Sequence, residues 1–506
     1  MKFIAYDLGT GGVKASLYDQ DLKTIAKSFI EYKTFYPRTY MHEQKPDDWW
    51  QGIIDSTQLL LKKSGTSGSE IHAVALSGHS CVAIPMDKEG NELLQQVPIW
   101  SDTRAAEETE CFFDKINRDD WYLSTGNGFP PSCYSIFKLM WYKNHEPEVF
   151  GRIDKVLGSK DYINYRLTGA YFTDFSYISS SGVYNLLDRN LNKDFLEAAG
   201  IPESFFPPIV PSHYQIGTVT PEAARLTGLG ENTVVACGGV DNACMALGAI
   251  GTAEGSIYTS LGSSSWVPVN SRKPVLDPVK KPYVFAHIDE TMFTSAFSIF
   301  AGGSSFRWIR ETLCKDLDPE DIYNTMSALA DQIPVGSGGL IFNPSLAGGT
   351  SQDKSVHIRG AFLGLNLSTT RDHMIRAAME GIAMNLKISI DYLAEHTNIS
   401  DEILFCGGGS KSDIWMQMFA DIFNMRIVKT NIDQDAASLG AAAICAKSTG
   451  LWDDYRKIKE LHEVDKIFLP DSSRVSKYER LSQIFVHTCN VLSTLGDYMN
   501  AADLEA

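Results

Sequence analysis

Twice in this chain an apolar strand runs into leucine, glycine and a hydroxyl residue. Leu8-Gly9-Thr10 and Leu261-Gly262-Ser263 lie 253 residues apart in a chain of 506. A repeat at half the chain length predicts two halves, each opening with the same strand–turn–strand unit. One compact core does not serve a chain this long, which again predicts two domains. The division is placed in the glycine-containing stretch 248–255, giving domains 1–247 and 248–506. Helical patterns at 372–394 and 413–423 follow strand-like blocks, so both halves read as α/β. The tail from about Tyr478 reads as a terminal helix.

The first of the two units decides between folds. Phe3 and Ala5, then Val13, Ala15 and Leu17, alternate at period 2, with Gly9-Thr10-Gly11-Gly12 between them. A dinucleotide-binding turn needs a helix after its glycines. Here the period stays 2, so a hairpin is predicted and a Rossmann unit is disfavoured. In this hairpin the glycines free the backbone to aim N–H groups at an anion, Thr10 adds a hydroxyl and Lys14 a positive charge. Asp7 repels phosphate unless Mg²⁺ lies between them, held through water. A plain hairpin turn with a helpful aspartate is the alternative.

Three further segments carry chemistry. Cys237-Gly238-Gly239-Val240-Asp241-Asn242 ends a buried strand and puts Asp241 at the start of a helix. Asp241 there is either an N-cap or a base aimed at an alcohol. Leu261-Gly262-Ser263-Ser264-Ser265 suits distal phosphates or an ordinary turn. Cys406-Gly407-Gly408-Gly409-Ser410-Lys411-Ser412 joins a strand to a helix carrying Trp415, Gln417 and Asp421. Such a helix start suits a flat ring or a phosphate, or tight helix–strand packing.

A net charge of −17 argues against a nucleic-acid partner. The first residues do not form a signal peptide, and no apolar run reaches the roughly 18–20 residues of a membrane helix. Nine scattered cysteines without a C-x-x-C pair read as reduced thiols of a cytoplasmic protein.

In this order, across more than 400 residues, these segments resemble the FGGY carbohydrate kinases. Gly360-Ala361-Phe362-Leu363-Gly364-Leu365, then His373-Met374-Ile375-Arg376-Ala377-Ala378-Met379-Glu380, is similar to the family's C-terminal signature. Ser135-Ile136-Phe137-Lys138-Leu139-Met140-Trp141 resembles its N-terminal one, with Cys133 where another residue type is usual. Ala436-Ala437-Ser438-Leu439-Gly440 resembles a family helix near the nucleotide. The resemblance implies two actin-like, ribonuclease H-like domains with ATP and a sugar in the cleft between them. It implies Asp241 as catalytic base and Asp7 as placing Mg²⁺. Thr10, Gly11 and Lys14 would meet the phosphates from one lobe, Gly262 and Ser263 from the other. Gly303 and Arg307 would line the nucleotide, and Gly408, Gly409 and Ser412 would hold its adenosine end. A homodimer is an expectation from relatives.

For the sugar, the expected residues are His79, Ser80, Cys81, Trp100, Asp102, Asn242, Trp266 and Asp241 itself. Each has a bland alternative: His79 as a satisfied core histidine, Trp100 and Trp266 as core, Asp102 and Arg104 as a polar brace. Gly78-His79-Ser80-Cys81-Val82 departs from the Gly-Gln-Met-His-Gly of xylulokinases and lacks the Arg-Glu of glycerol kinases. A ketopentose or related ketose leads, with a sugar acid or linear polyol (gluconate, glycerol or another alditol) as alternative. An actin-like ATPase switch and a non-catalytic sugar binder are the readings from other classes.

Overall fold

The structure, a computed structural model, describes residues 1–432 and 435–502. Two seven-stranded sheets organise it, and they repeat one another. In the first, β1 (Lys2–Gly9), β2 (Gly12–Tyr18) and β3 (Thr24–Glu31) form an antiparallel meander. Then β4 (Ile71–Gly78) pairs parallel to β1, β5 (Gln215–Thr218) lies antiparallel on β6 (Val234–Ala236), and β6 and β7 (Gly239–Val240) pair parallel to β4. In the second, β8 (Ile257–Leu261) pairs antiparallel with β9 (Ser265–Ser271), while β10 (Tyr283–Ala286) and β11 (Phe293–Ile299) extend that edge. On its other side β12 (Glu402–Cys406) pairs parallel to β8 and β13 (Arg426–Thr430) parallel to β12, with β14 (Val464–Phe468) at the edge. The two leucine–glycine turns thus join the first two strands of equivalent meanders, as the repeat predicts.

The helices that matter for the site are α1 (Pro46–Ser64), α2 (Ser135–His145), α3 (Ser159–Thr168), α4 (Asp241–Ile250), α5 (Gly302–Leu313), α6 (Ile322–Asp331), α7 (Arg371–His396), α8 (Asp413–Phe423), α9 (Ala436–Ser448) and α10 (Ser472–Ala501). α8 has the predicted span, and α7 starts one residue earlier and ends two later than its pattern. α10 starts at Ser472, ahead of Tyr478, because Asp471 caps it.

Period 2 sorts β1. Ile4, Tyr6 and Leu8 join a core with Trp49 and Ile53 of α1. Phe3 and Ala5 join the opposite core, with Ala243 and Leu247 of α4 and Ala442 and Ala446 of α9. A helix of the C-terminal half therefore closes the N-terminal sheet. α4 and α9 cross closely because glycine stands at both contacts. A Cβ on Gly248 would lie 1.8 Å from Ala436 O, and one on Gly440 2.0 Å from Cys244 O. Gly248 is thus an interior helical residue, and a division after Leu247 falls inside α4.

Candidate active site

By the alternation of β1, Asp7 points to the face that carries α4. α4 begins there with Asp241. Burial pushes the Asp241 carboxyl up to about 7; a 2.8 Å hydrogen bond from Asn242 N–H pulls against this, and the charge of Asp7 adds to it. Val240 is the N-cap and has no side-chain acceptor, so Asp241 occupies the first helical position rather than the cap. Burial also raises Asp7. Lys14, its cross-strand partner, and Ser77 Oγ–H at 3.1 Å oppose the rise, and Asp435 reinforces it.

The turn into Asp241 is pinned from below. Cys237 C=O accepts from Lys160 Nζ at 3.2 Å and from Asn164 Nδ2 at 2.7 Å. Val240 N–H donates to Ser176 Oγ at 3.0 Å, and Ser176 Oγ–H donates to Asp174 at 2.6 Å. Lys160 pairs with Asp174 at 3.1 Å and with Asp161 at 2.5 Å. Every member of this set is buried. Gly238 (φ +76°) passes so close to β4 that a Cβ would lie 2.2 Å from Leu76 O.

Seven residues picked from the sequence line one cavity of about 550 Å³: Gly262, Ser263, Gly303, Arg307, Gly408, Gly409 and Ser412. Gly303 N–H donates to Gly262 C=O at 2.8 Å, and a Cβ on Gly303 would meet that oxygen at 2.3 Å. A Cβ on Gly409 would lie 2.3 Å from Leu261 Cδ2, whereas one on Gly408 would meet nothing within 4 Å. Packing therefore accounts for Gly303 and Gly409, and Gly408 fronts open space. Arg307 Nη2 donates to Ser263 Oγ at 3.2 Å. Ser412 Oγ accepts from Trp415 N at 3.3 Å to cap α8. Sequence reading missed Arg310, Tyr323 and Asn324 on the same walls. They carry no glycine signature that would have marked them.

A second cavity, of about 510 Å³, adjoins it. Ser260 and Ser264 face the second cavity, and Leu261, Gly262 and Ser263 face the first, so one turn between β8 and β9 divides them. Of the expected sugar residues, Ser80, Cys81, Trp100, Asn242 and Trp266 line it, as do Val240 and Asn242 on either side of Asp241. Cys81 adopts φ +59° and its Sγ contacts Ser180 O at 3.5 Å. Trp100 Nε1–H donates to Thr10 Oγ1 at 2.9 Å, tying the cavity to the β1–β2 hairpin. Gly11, on the same hairpin, faces open space. His79, Asp102 and Asp241 are not among the residues of the wall. His79 is 1% exposed and packs edge-on against Trp49 at 5.1 Å, and burial lowers its pKa to about 3. Asp102 is fully buried and accepts from Arg104 at 2.7 Å and from His42 N–H at 2.7 Å, the polar brace of the bland alternative. Asn127, Tyr134, Tyr283 and Phe285 line the cavity and had no sequence signal.

Residues 2–248 match the N-terminal domain of the FGGY family of carbohydrate kinases, and residues 257–449 match its C-terminal domain. The chain belongs to this family. Like other FGGY kinases it has two actin-like, ribonuclease H-like domains, and it is a carbohydrate kinase with ATP as phosphate donor. It is 30% identical to a xylulose kinase of Bacillus subtilis, over 98% of this chain and 99% of that one. The crystal structure of xylulose kinase from Rhodospirillum rubrum superposes with a TM-score of 0.91 at 27% identity, covering 98% of this chain and 100% of the other. That of gluconate kinase from Lactobacillus acidophilus gives 0.89 at 27% identity, covering 97% and 98%.

The donor set of this FGGY kinase fits Mg²⁺. The charge of Asp7 acts on Asp241, and Lys14 is the cation acting on Asp7. Among the described residues no group of three or more His, Cys, Asp or Glu side chains converges as a metal site. A single carboxylate reaching the ion through water, with phosphates completing its shell, suits that arrangement. All nine cysteines are free, and Cys111 is the exposed one. No described helix is long and apolar enough to cross a membrane.

Proposed function

We propose that this kinase transfers the terminal phosphoryl group of ATP to a hydroxyl of an uncharged sugar, with a ketopentose as the leading class and Asp241 as the base. The observation that carries it is the pair of cavities divided by the 261–264 turn, with Asp241 between two residues of the sugar-side wall. Phosphoryl transfer asks the protein mainly for placement and for neutralisation of charge. Asp241 orients the acceptor hydroxyl and takes its proton as the oxygen bonds to phosphorus and ADP leaves. Gly408 and Arg307 bind the nucleotide on the far side of the turn. Thr10, Gly11 and Lys14 meet its phosphates from the other lobe. Mg²⁺, held by Asp7 through water, would neutralise charge on the phosphate oxygens.

Wall chemistry favours a ketose or polyol over a sugar acid. No Asp, Glu, Lys, Arg or His is among the residues lining the sugar-side cavity. A carboxylate entering it would lose water without gaining a cation, beside Asp7 and Asp241. Names of similar proteins point both ways, since xylulose and gluconate kinases superpose almost equally well. A division between the two halves in the glycine-containing stretch 248–255, past the body of α4, a cytoplasmic location and a homodimer complete the proposal. A coupled ADP-release assay over ketoses, alditols and aldonates tests it. Release that depends on a neutral sugar is the expected result, and preference for gluconate would overturn the substrate class. ATP turnover indifferent to every sugar, with Asp241→Ala unaffected, would overturn the function.

A further inference from the structure

Two residues lining the sugar-side cavity, Asn127 and Ser298, carry a buried side-chain oxygen without a partner among the described residues, and at Asn127 the fold fixes that oxygen as an acceptor. Asn127 lines the cavity and is 5% exposed. Its Nδ2 donates to Thr125 O at 3.2 Å and to Ser179 O at 2.8 Å. Both amide protons are thereby committed to backbone carbonyls, so the side chain cannot exchange its oxygen and nitrogen without facing two acceptors with an acceptor. Asn127 Oδ1 is left as a buried acceptor without a partner among the described residues. An acceptor kept from water and from protein donors destabilises the fold unless something donates to it.

The serine hydroxyls of the 176–180 segment on this wall are already engaged. Ser176 Oγ–H is directed to Asp174, Ser179 Oγ–H to Ser176 O at 2.7 Å, and Ser180 Oγ–H to Tyr177 O at 2.8 Å. Much of the remaining wall is aromatic or aliphatic: Trp100, Tyr134, Met245, Trp266 and Phe285. A sugar brings the missing chemistry, since each of its hydroxyls is a donor. Resting on the kinase reading above, we propose that Asn127 is a specificity-determining residue whose Oδ1 accepts a hydrogen bond from one sugar hydroxyl other than the one phosphorylated. Sites that hydrogen-bond a substrate hydroxyl discriminate strongly against analogues lacking it, because the protein group is then stranded.

The first measurement uses the unaltered enzyme with its preferred sugar and that sugar's series of monodeoxy analogues. One deoxy position is expected to lower kcat/KM about tenfold or more. The second compares Asn127→Ala on the same series. The variant is expected to raise KM for the parent sugar about tenfold, leave KM for ATP unchanged, and show no added loss on that one analogue. A loss equal on every analogue, or KM for sugar and ATP rising together, would reduce Asn127 to a structural role and overturn the assignment. The deoxy series stands alone if Asn127→Ala folds poorly: a flat series overturns the proposal as well. A sugar kinase indifferent to Asn127 sinks this inference and spares the function, whereas ATP turnover without any sugar response sinks both.

Discussion

The two cavities lie on opposite sides of one turn and differ in how much glycine shapes them. On the side proposed for the nucleotide, glycines stand among side chains such as Arg307, Tyr323 and Trp415: Gly303 and Gly409 bring main chain together where Cβ atoms would collide, and Gly408 fronts open space. The sugar side is made of side chains drawn from segments as far apart as Ser80, Asn127, Ser179, Asn242 and Phe285. A surface proposed to admit a triphosphate is set in part by close main-chain approach at its glycines. A surface that selects one sugar is fixed by side chains on a common frame. Substitutions on the two sides should therefore fail in different ways.

Asp241 lies between Val240 and Asn242 of the sugar-side wall, and its removal tests the proposed base most severely. Asp241→Asn is expected to lower kcat about 10³-fold with ATP affinity retained. As the proposed base, the same carboxylate is expected to set the acid limb of the pH profile. It works as a base when ionised, so kcat rises with pH through about 7. Stability runs the other way. A carboxyl whose folded pKa lies above its unfolded one holds its proton longer in the folded state, so its contribution to stability is present below the unfolded pKa and falls away as pH rises to about 7. Asp241→Asn is therefore expected to raise Tm by about 2 °C at pH 8 and to leave it unchanged near pH 4. A variant that loses both activity and Tm at pH 8 would make Asp241 a structural residue.

Two glycines separate packing from ligand contact on the nucleotide side. Gly303→Ala must push aside Gly262 C=O, so it is expected to destabilise the protein by about 2 kcal/mol and raise KM for ATP about tenfold. Gly408→Ala meets nothing in the protein. It is expected to leave Tm unchanged and still raise KM for ATP about fivefold, because the new methyl projects toward the cavity. Thermal melts alongside nucleotide titrations distinguish them. If Gly408→Ala binds ATP normally, the cavity is not the nucleotide site.

This contrast also explains what the sequence disclosed. Hairpin, repeat and glycine turns were legible because close backbone approach restricts residue type, and Gly303 and Gly409 have that restriction written into their contacts. Asp241 was legible from Gly238-Gly239, which lets the chain turn over β4 just ahead of it. Side-chain roles were less so. His79 and Asp102 sit in a pocket-lining segment of the chain, yet one turns into the core against Trp49 and the other is consumed by Arg104. Their direction depends on tertiary partners distant in sequence. Asn127 carries no motif because its role arises from Ser179 O, 52 residues away.

Beneath Asp241 the buried set offers a subtler test, since Ser176 touches both the sugar-side wall and the turn. Ser176→Ala leaves Val240 N–H without its acceptor. It is expected to lower kcat about fivefold with KM for ATP unchanged and to shift the acid limb of the pH profile, with Ser176→Thr restoring both. An unshifted limb would mean that the turn holds Asp241 without Ser176.

Trp100→Phe asks for the least and bears directly on whether the two sides act together. Its indole N–H reaches Thr10 Oγ1 at 2.9 Å, joining the sugar-side wall to the hairpin expected to meet phosphate. Trp100 is 40% exposed, so water competes for that bond and its net value is about 0.5–1 kcal/mol. Phenylalanine keeps an aromatic face on the cavity and removes the donor. If the bond merely anchors the ring, KM for sugar rises about twofold and ATP kinetics stay as they were. If it couples the sides, saturating sugar lowers KM for ATP in the unaltered enzyme, and Trp100→Phe removes that effect. Linkage requires the converse at equilibrium, so a non-hydrolysable ATP analogue must tighten sugar binding by the same factor in the parent and not in the variant. Equal factors in both proteins would show that the Trp100–Thr10 bond does not carry the coupling.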